Sequence, residues 1–331
     1  MATLIQSSGV CKFSVLLYNR CGLQHLHHSQ SSTASLSDSI LEYRALQGRT
    51  YHSTRHATEY FTPNDDQQQE SVDLTHHYFT ILLDDKLFIA PIGDDNVLDV
   101  GTGTGIWAID FADTYPASAV TGTDLSPIQP GWVPPNLSFC IDDATLPWTF
   151  NESSFDFIHM RYLFGGIKDW DFLYAQAYRC CTPGGWVQSC ELDAAMFSDD
   201  GTADGNFGIE TWNKLFDLAG KKLGNAFTVI ADDLQRKGFE KAGFEDIKIV
   251  DYKLPMGGWA LDRKLKEVGH IALTALLNDI QGYTLMLWHD VLNWPEDEYQ
   301  VFLMGLRKAM KDRSIHAYMN IRFVYGRKPS A

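Results

Sequence analysis

The run Val97-Leu98-Asp99-Val100-Gly101-Thr102-Gly103-Thr104-Gly105 decides how this chain folds. Its first four residues are apolar apart from one embedded carboxylate, the pattern of a short strand buried within a sheet. The glycines that follow let the backbone take positive φ and approach a ligand with no Cβ in the way. Residues 106–115 then have helical spacing and stop before Pro116. A strand, a glycine loop and a helix start, in that order, can hold a cofactor against exposed backbone N–H groups. The spacing argues against one cofactor class. A dinucleotide fingerprint reads GxGxxG, and the position of its third glycine carries Ile106 here.

Outward from this run the alternation continues. Residues 119–123, 137–141, 155–159 and 186–192 read as strands, and 168–180 as a helix halted by Thr182-Pro183-Gly184-Gly185. Short strands alternating with helices predict an α/β fold with a parallel sheet covered on both faces. Further on, 209–223 and 232–242 read as helices, the second ended by Gly243, and 247–254 as a strand. Residues 260–312 are strongly helical and 317–325 form a final strand. Upstream, Thr62-Pro63-Asn64-Asp65 offers a helix start, and Val72, Leu74, Phe79, Leu82 and Leu83 recur at helical spacing. Residues 41–92 are therefore read as a small helical N-terminal region. The first 37 residues hold Lys12, Arg20 and many serines, with no acid before Asp38. That composition predicts a disordered leader over 1–40, with a superficial likeness to a transit peptide.

The chain has 331 residues, of which 45% are apolar and 21% charged, the profile of a globular domain with a sizeable core. No stretch approaches the roughly 18 apolar residues that would cross a bilayer. A net charge of −15 argues against a nucleic-acid partner, which needs clustered Lys and Arg. Six cysteines include no CxxC pair, so no metal site is expected and the thiols are read as reduced.

The order GxGxG, with Asp99 before it, resembles motif I of class I S-adenosylmethionine-dependent methyltransferases, where the loop holds the methionine end of the cofactor. Asp124 closes the second strand about 20 residues beyond the loop, where a carboxylate can accept two hydrogen bonds from a ribose diol. The resemblance narrows with VLDVGTGTGIWAIDFAD, GTDLSPIQPGWVPPNLSF, DDATLPWTF and IKDW, together with PNDDQQQESVDLTHH upstream and IHAYMNIRFVYGRKP near the C-terminus. These segments resemble the fungal LaeA-type methyltransferases. The resemblance implies a Rossmann-like sheet with a reversed final hairpin, formed by residues 93–255 and 314–331. It places 256–313 between the last two strands as a helical cap over the substrate pocket. It assigns S-adenosylmethionine to Asp99, Gly101, Thr102, Gly103, Gly105, Asp124 and Leu125. The adenine falls to Asp143 and the N–H of Ala144, with Asp142 an open alternative.

On the acceptor side, a hydroxyl or ammonium nucleophile must lose a proton, which a His or carboxylate can take. The candidates are His159 and Glu191, with His76 and His77 behind them. Trp259, Tyr283 and Trp288 are candidates to line a pocket for an aromatic metabolite. Two departures from the family pattern concern this side: Thr75 stands before His76-His77 where a Gln is expected, and Tyr162 and Phe164 are bulkier than expected. Two functions share the cofactor motifs. One is methyl transfer to a small-molecule acceptor of fungal secondary metabolism, in the cytoplasm and with no membrane partner. The other is a LaeA-like nuclear regulator working through protein partners.

Overall fold

The computed structural model describes residues 43–330, apart from 54–57, 59 and 94–95. The expected leader, with Cys11 and Cys21, lies outside the described residues. The first element is a hairpin of two short antiparallel strands, β1 (Arg44–Leu46) and β2 (Arg49–Tyr51). Gln47 and Gly48 turn it with φ of 47° and 80°, as a two-residue hairpin turn of the I′ kind requires. Within 41–92, read as a small helical N-terminal region, the structure thus places a hairpin ahead of the helix. Strands of three residues are too short for period-two alternation to stand out against a polar, aromatic-studded background. Helix α1 (Asp66–Leu82) follows, capped by Asp65, whose carboxylate accepts from Gln68 N at 3.3 Å.

The main sheet has seven strands: β3 (Asn96–Val100), β4 (Ala119–Asp124), β5 (Leu137–Ile141), β6 (Phe155–Arg161), β7 (Cys181–Leu192), β8 (Glu245–Pro255) and β9 (Tyr318–Arg327). Their order is β5-β4-β3-β6-β7-β9-β8. The first five are parallel, and β9 runs antiparallel to both of its neighbours. This is a Rossmann-like class I methyltransferase sheet with a reversed final hairpin. Four helices join its strands: α2 (Ile106–Thr114), α3 (Trp170–Cys180), α4 (Phe207–Leu223) and α5 (Leu234–Ala242).

β3 shows why the sheet is buried on both sides. Val97 packs with Trp107, Phe111 and Phe157 on the α2 face, whereas Leu98 and Val100 join Ile158 and Met160 in the larger core opposite. Asp99 therefore projects to the α2 face, beside His159, its partner in the β3–β6 register. The strand order reverses at β3 and β6, and open α/β sheets bind ligands in the crevice beyond such a point.

Between β8 and β9 the chain runs through α6 (Arg263–Asn278), α7 (Ile280–Met286), a π-helical turn (Leu287–Val291) and α8 (Glu296–Lys311). The insert divides into two parts. α6 lies against α1, where Ser71 Oγ donates to Ala275 O at 3.2 Å. α8 lies against α4, so closely that a Cβ on Gly208 would come within 2.5 Å of Leu306 N. Arg49 of the hairpin ties the start of the chain to this insert. Its guanidinium meets Asp65 at 2.6 Å and Asp279 at 2.6 Å, and Asp279 also caps α7 through Gly282 N. Two helix caps thus share one cation, whose pKa is raised because hydrogen bonds to Asp65 and Asp279 outweigh its burial. Among the described residues no helix is long and apolar enough to cross a membrane.

Candidate active site

The glycine loop joins β3 to α2 and every turn of it is pinned. Thr102 N donates to Thr123 O at 2.8 Å, and Gly103 N to Asp124 Oδ2 at 2.8 Å. Gln129 Nε2 donates to Gly103 O at 2.7 Å. Thr102 Oγ1 donates to Asp99 Oδ2 at 2.6 Å, and the other Asp99 oxygen meets His159 Nδ1 at 2.7 Å. The loop's shape is therefore set before any ligand arrives. Its glycines serve different ends. Gly103, with φ of 59°, faces open space, since a Cβ there would touch only Val72 Cγ1 at 3.7 Å. Gly105 lies outside the cavity wall and backs onto the ring of Phe139.

In front of Gly103 is a cavity of ≈ 190 Å³ at the crevice. Asp99, Gly101, Thr102, Gly103, Asp124, Leu125, Asp142, Asp143 and Ala144 all contribute to its wall. Asp124 is half-buried there, and desolvation pushes its carboxyl up to about 6 although Ser126 N and Gly103 N donate to it. Asp143 is fixed from two sides: Thr145 N donates to it at 2.9 Å, as does Thr58 Oγ1. Thr58 lines the cavity, as do Tyr60 and Asn64 ahead of α1. Asn64 Nδ2 makes a second tie, donating to Ser126 Oγ at 3.2 Å. Sequence reading missed this part of the wall. Thr62-Pro63-Asn64-Asp65 signals a helix start, and nothing local in it signals contact with Asp143.

A methyltransferase domain profile matches residues 74–249, more than half of the chain. Methyltransferase pytC of Aspergillus terreus is 37% identical over 304 residues, covering 91% of this chain and 93% of that one. Secondary metabolism regulator LAE1 of Cochliobolus heterostrophus is 33% identical, covering 85% of this chain and 94% of its own. The chain belongs to the fungal LaeA-type methyltransferase family. Protein-methionine methyltransferase laeA of Emericella nidulans is similar too, at 31% identity over 87% of this chain and 77% of that one. The protein is thus a methyltransferase, and its cofactor is S-adenosylmethionine, as the loop spacing implied. The pocket fits it, with open backbone at Gly103 and a half-buried carboxylate, Asp124, one strand away.

The residues expected to do proton chemistry in this methyltransferase are placed less simply. His159 reaches the cavity wall, but its Nδ1 is bound to Asp99 and its ring stacks on Trp107 at 3.8 Å and 7°. Burial lowers its pKa, against the pull of Asp99. Glu191 stands behind the wall. Its oxygens accept from Leu163 N at 3.2 Å and Phe164 N at 3.0 Å, so it braces the turn after β6 and does not reach the cavity. The expectation of Glu191 as a base is corrected accordingly. Strand alternation put its carboxylate on one of two faces, and a turn from another strand took it. His76 bridges Asp110 and Arg161, and His77 is exposed. Tyr283 lines the cavity, but Trp288 and Trp259 do not. Trp288 is buried between Trp294, Tyr299 and Phe302, and Trp259 donates to Ala317 O at 3.0 Å.

Proposed function

We propose that this methyltransferase acts on a small-molecule acceptor in fungal secondary metabolism, within the cytoplasm. One observation carries the reading: the cavity in front of the glycine loop is a concave hollow of ≈ 190 Å³, walled by the loop, by residues just before α1 and by Tyr283 of the insert. A concave hollow of this kind suits a small molecule. The similarity to pytC over nearly the whole chain supports it.

When bound, S-adenosylmethionine would supply an electrophilic methyl on a sulfonium, which a nucleophile attacks in line while S-adenosylhomocysteine leaves as the neutral thioether. Under this reading Gly101, Thr102 and Gly103 receive its methionine end, with Asp99 supporting the loop from beneath. Asp124 takes the ribose diol and Leu125 lies against it. Asp143 and the N–H of Ala144 meet the adenine edge, with Asp142 beside them. His159 serves by holding Asp99, because its Nδ1 is committed there. The protein's contribution to rate is alignment and exclusion of water, which can supply several kcal/mol of the barrier.

The second reading, a nuclear regulator acting on or through proteins, draws on the names of LAE1 and laeA. One experiment separates the two. The purified protein is incubated with methyl-labelled S-adenosylmethionine and extract of the source fungus, and both fractions are analysed by mass spectrometry. Label in a small molecule is the expected result. Label confined to proteins would overturn the first reading in favour of the second.

A further inference from the structure

Next to the cofactor cavity lies a second chamber of ≈ 80 Å³, several times the space one water needs. Phe61, Thr75, Tyr162, Phe164 and Tyr283 belong to the walls of both, so the two are contiguous. We propose that this chamber is the acceptor site, and that it takes an uncharged aromatic molecule whose hydroxyl is met by Tyr162 and Tyr78. The proposal rests on the methyl-transfer reading above and names the acceptor's chemical class.

Three observations carry it. First, among the described residues the chamber wall contains no Asp, Glu, Lys, Arg or His, in a chain where 21% of residues are charged. A carboxylate, phosphate or ammonium placed there would lose its water and gain no counter-charge. Secondly, the wall is rich in rings. Phe61 meets Phe216 edge-on at 6.1 Å and 87°, and Tyr162 meets Phe164 at 5.5 Å and 84°. Rings so arranged present edges and faces that suit another aromatic ring. Thirdly, the chamber holds a hydroxyl pair, with Tyr78 Oη and Tyr162 Oη 2.5 Å apart. Either can donate to the other and Tyr78 also meets Thr75, so Tyr162 keeps lone-pair capacity for a hydroxyl of the acceptor.

The backbone singles out Tyr162 further. Its φ is 58°, a left-handed conformation that is costly for a bulky side chain. The surroundings impose it: Tyr162 N donates to Cys190 O at 2.9 Å, and Glu191 grips the next two N–H groups. The outcome is a tyrosine that walls both cavities, with its hydroxyl paired to Tyr78 of the chamber.

The test uses protein saturated with S-adenosylhomocysteine and titrated with 1-naphthol or naphthalene, followed by calorimetry. The loaded protein is expected to bind 1-naphthol saturably, one per chain. Tyr162→Phe should weaken 1-naphthol about tenfold, the worth of one hydrogen bond, and change naphthalene less than twofold. Leu276→Trp, or Ala275→Leu if that variant does not fold, should abolish binding of both probes by filling the chamber. Absence of saturable 1-naphthol binding, equal losses of both probes in Tyr162→Phe, or 1-naphthol affinity that survives chamber filling would overturn the proposal. Displacement of 1-naphthol by equimolar N-acetylmethionine amide would overturn the aromatic assignment. Failure of the underlying reading looks different: the labelling experiment above would then place methyl in proteins alone, with S-adenosylhomocysteine still bound.

Discussion

Glu191 Oε2 accepts a hydrogen bond from Phe164 N at 3.0 Å, which ties the middle of the sheet to the turn that presents Tyr162. Burial pushes this carboxyl from 4.5 up to about 8, although two backbone N–H groups oppose the shift. The folded protein therefore holds the proton more tightly than the unfolded chain. Its stabilising contribution is complete below about pH 4.5 and is lost as pH rises through 8. Melting temperature should fall across that window, with a loss on the order of a few kcal/mol. Glu191→Gln, which mimics the protonated form, should remove most of the slope. A wild-type melting profile that is flat from pH 5 to 8.5 would contradict this.

Asp124 gives the cofactor site its own pH dependence. With the carboxyl near 6, the charged form that accepts strongly from a diol predominates at pH 7 and disappears toward pH 5. Affinity for S-adenosylhomocysteine should drop over that interval, and Asp124→Asn should flatten the curve. At pH 7, Asp124→Ala should cost on the order of 1.5–3 kcal/mol of binding. Calorimetric titrations at three pH values check both points, and equal affinities at all three would remove the diol assignment.

The two loop glycines separate binding from folding. At Gly103 a side chain would project into the cavity, so Gly103→Val should leave a folded protein with no measurable cofactor affinity. At Gly105 the added atom would collide with the ring of Phe139, so Gly105→Val should lower the melting temperature first. Circular dichroism with calorimetry on the pair distinguishes these effects, and loss of cofactor binding by neither variant would mean the ligand sits elsewhere.

Trp288 belongs to the core of the insert. Its Nε1 donates to Pro295 O at 3.0 Å and its ring stacks on Phe302. Trp288→Ala should cost about 3–5 kcal/mol of stability and leave cofactor affinity in the surviving folded fraction unchanged. A small stability loss accompanied by weaker 1-naphthol binding would return it to the acceptor wall.

Arg49 is the other point where a single change should be felt widely. Its partner Asp279 is fully buried, so Arg49→Met strands a carboxylate and should cost about 3–5 kcal/mol. Replacing Asp279 with Asn as well should recover part of that loss, because the double change no longer buries an unpaired charge. Denaturant midpoints of the two variants provide the comparison, and additive losses would show that the ion pair contributes nothing of its own.

The legible parts of this protein were those whose signals are local. β3, the glycine loop and α2 announce themselves through an apolar run, three glycines and the proline after Tyr115. Gly243 marks the end of α5 and indeed takes a φ of 96° there. β7 was read from Trp186, yet it begins at Cys181 and carries Pro183-Gly184-Gly185 within it, where its pairing with β6 shifts register between Phe155 and Phe157. Breakers at an irregular strand end look the same as breakers in a loop. Harder still were roles set by distant partners. Asp124 stood out by spacing and Asp143, beside Asp142, through the family resemblance, but the hold of Thr58 on Asp143 spans 85 residues of sequence. Periodicity gave Trp288 and Tyr283 the same claim to a pocket, and only the packing of α8 separated them.

The position of β9 has a bearing on how the protein is made. β8 joins the main sheet only through β9, a strand synthesised after the whole helical insert. As the chain leaves the ribosome, β3 to β7 can pair in turn through short crossovers, whereas β8 must wait with an unpaired edge. The glycine loop, Asp124 and Asp143 are all complete by then. Met319, which walls the aromatic chamber, arrives with the last strand. A chain terminated within the insert would thus carry the glycine loop, Asp124 and Asp143 but lack β9 and the part of the chamber wall that Met319 supplies.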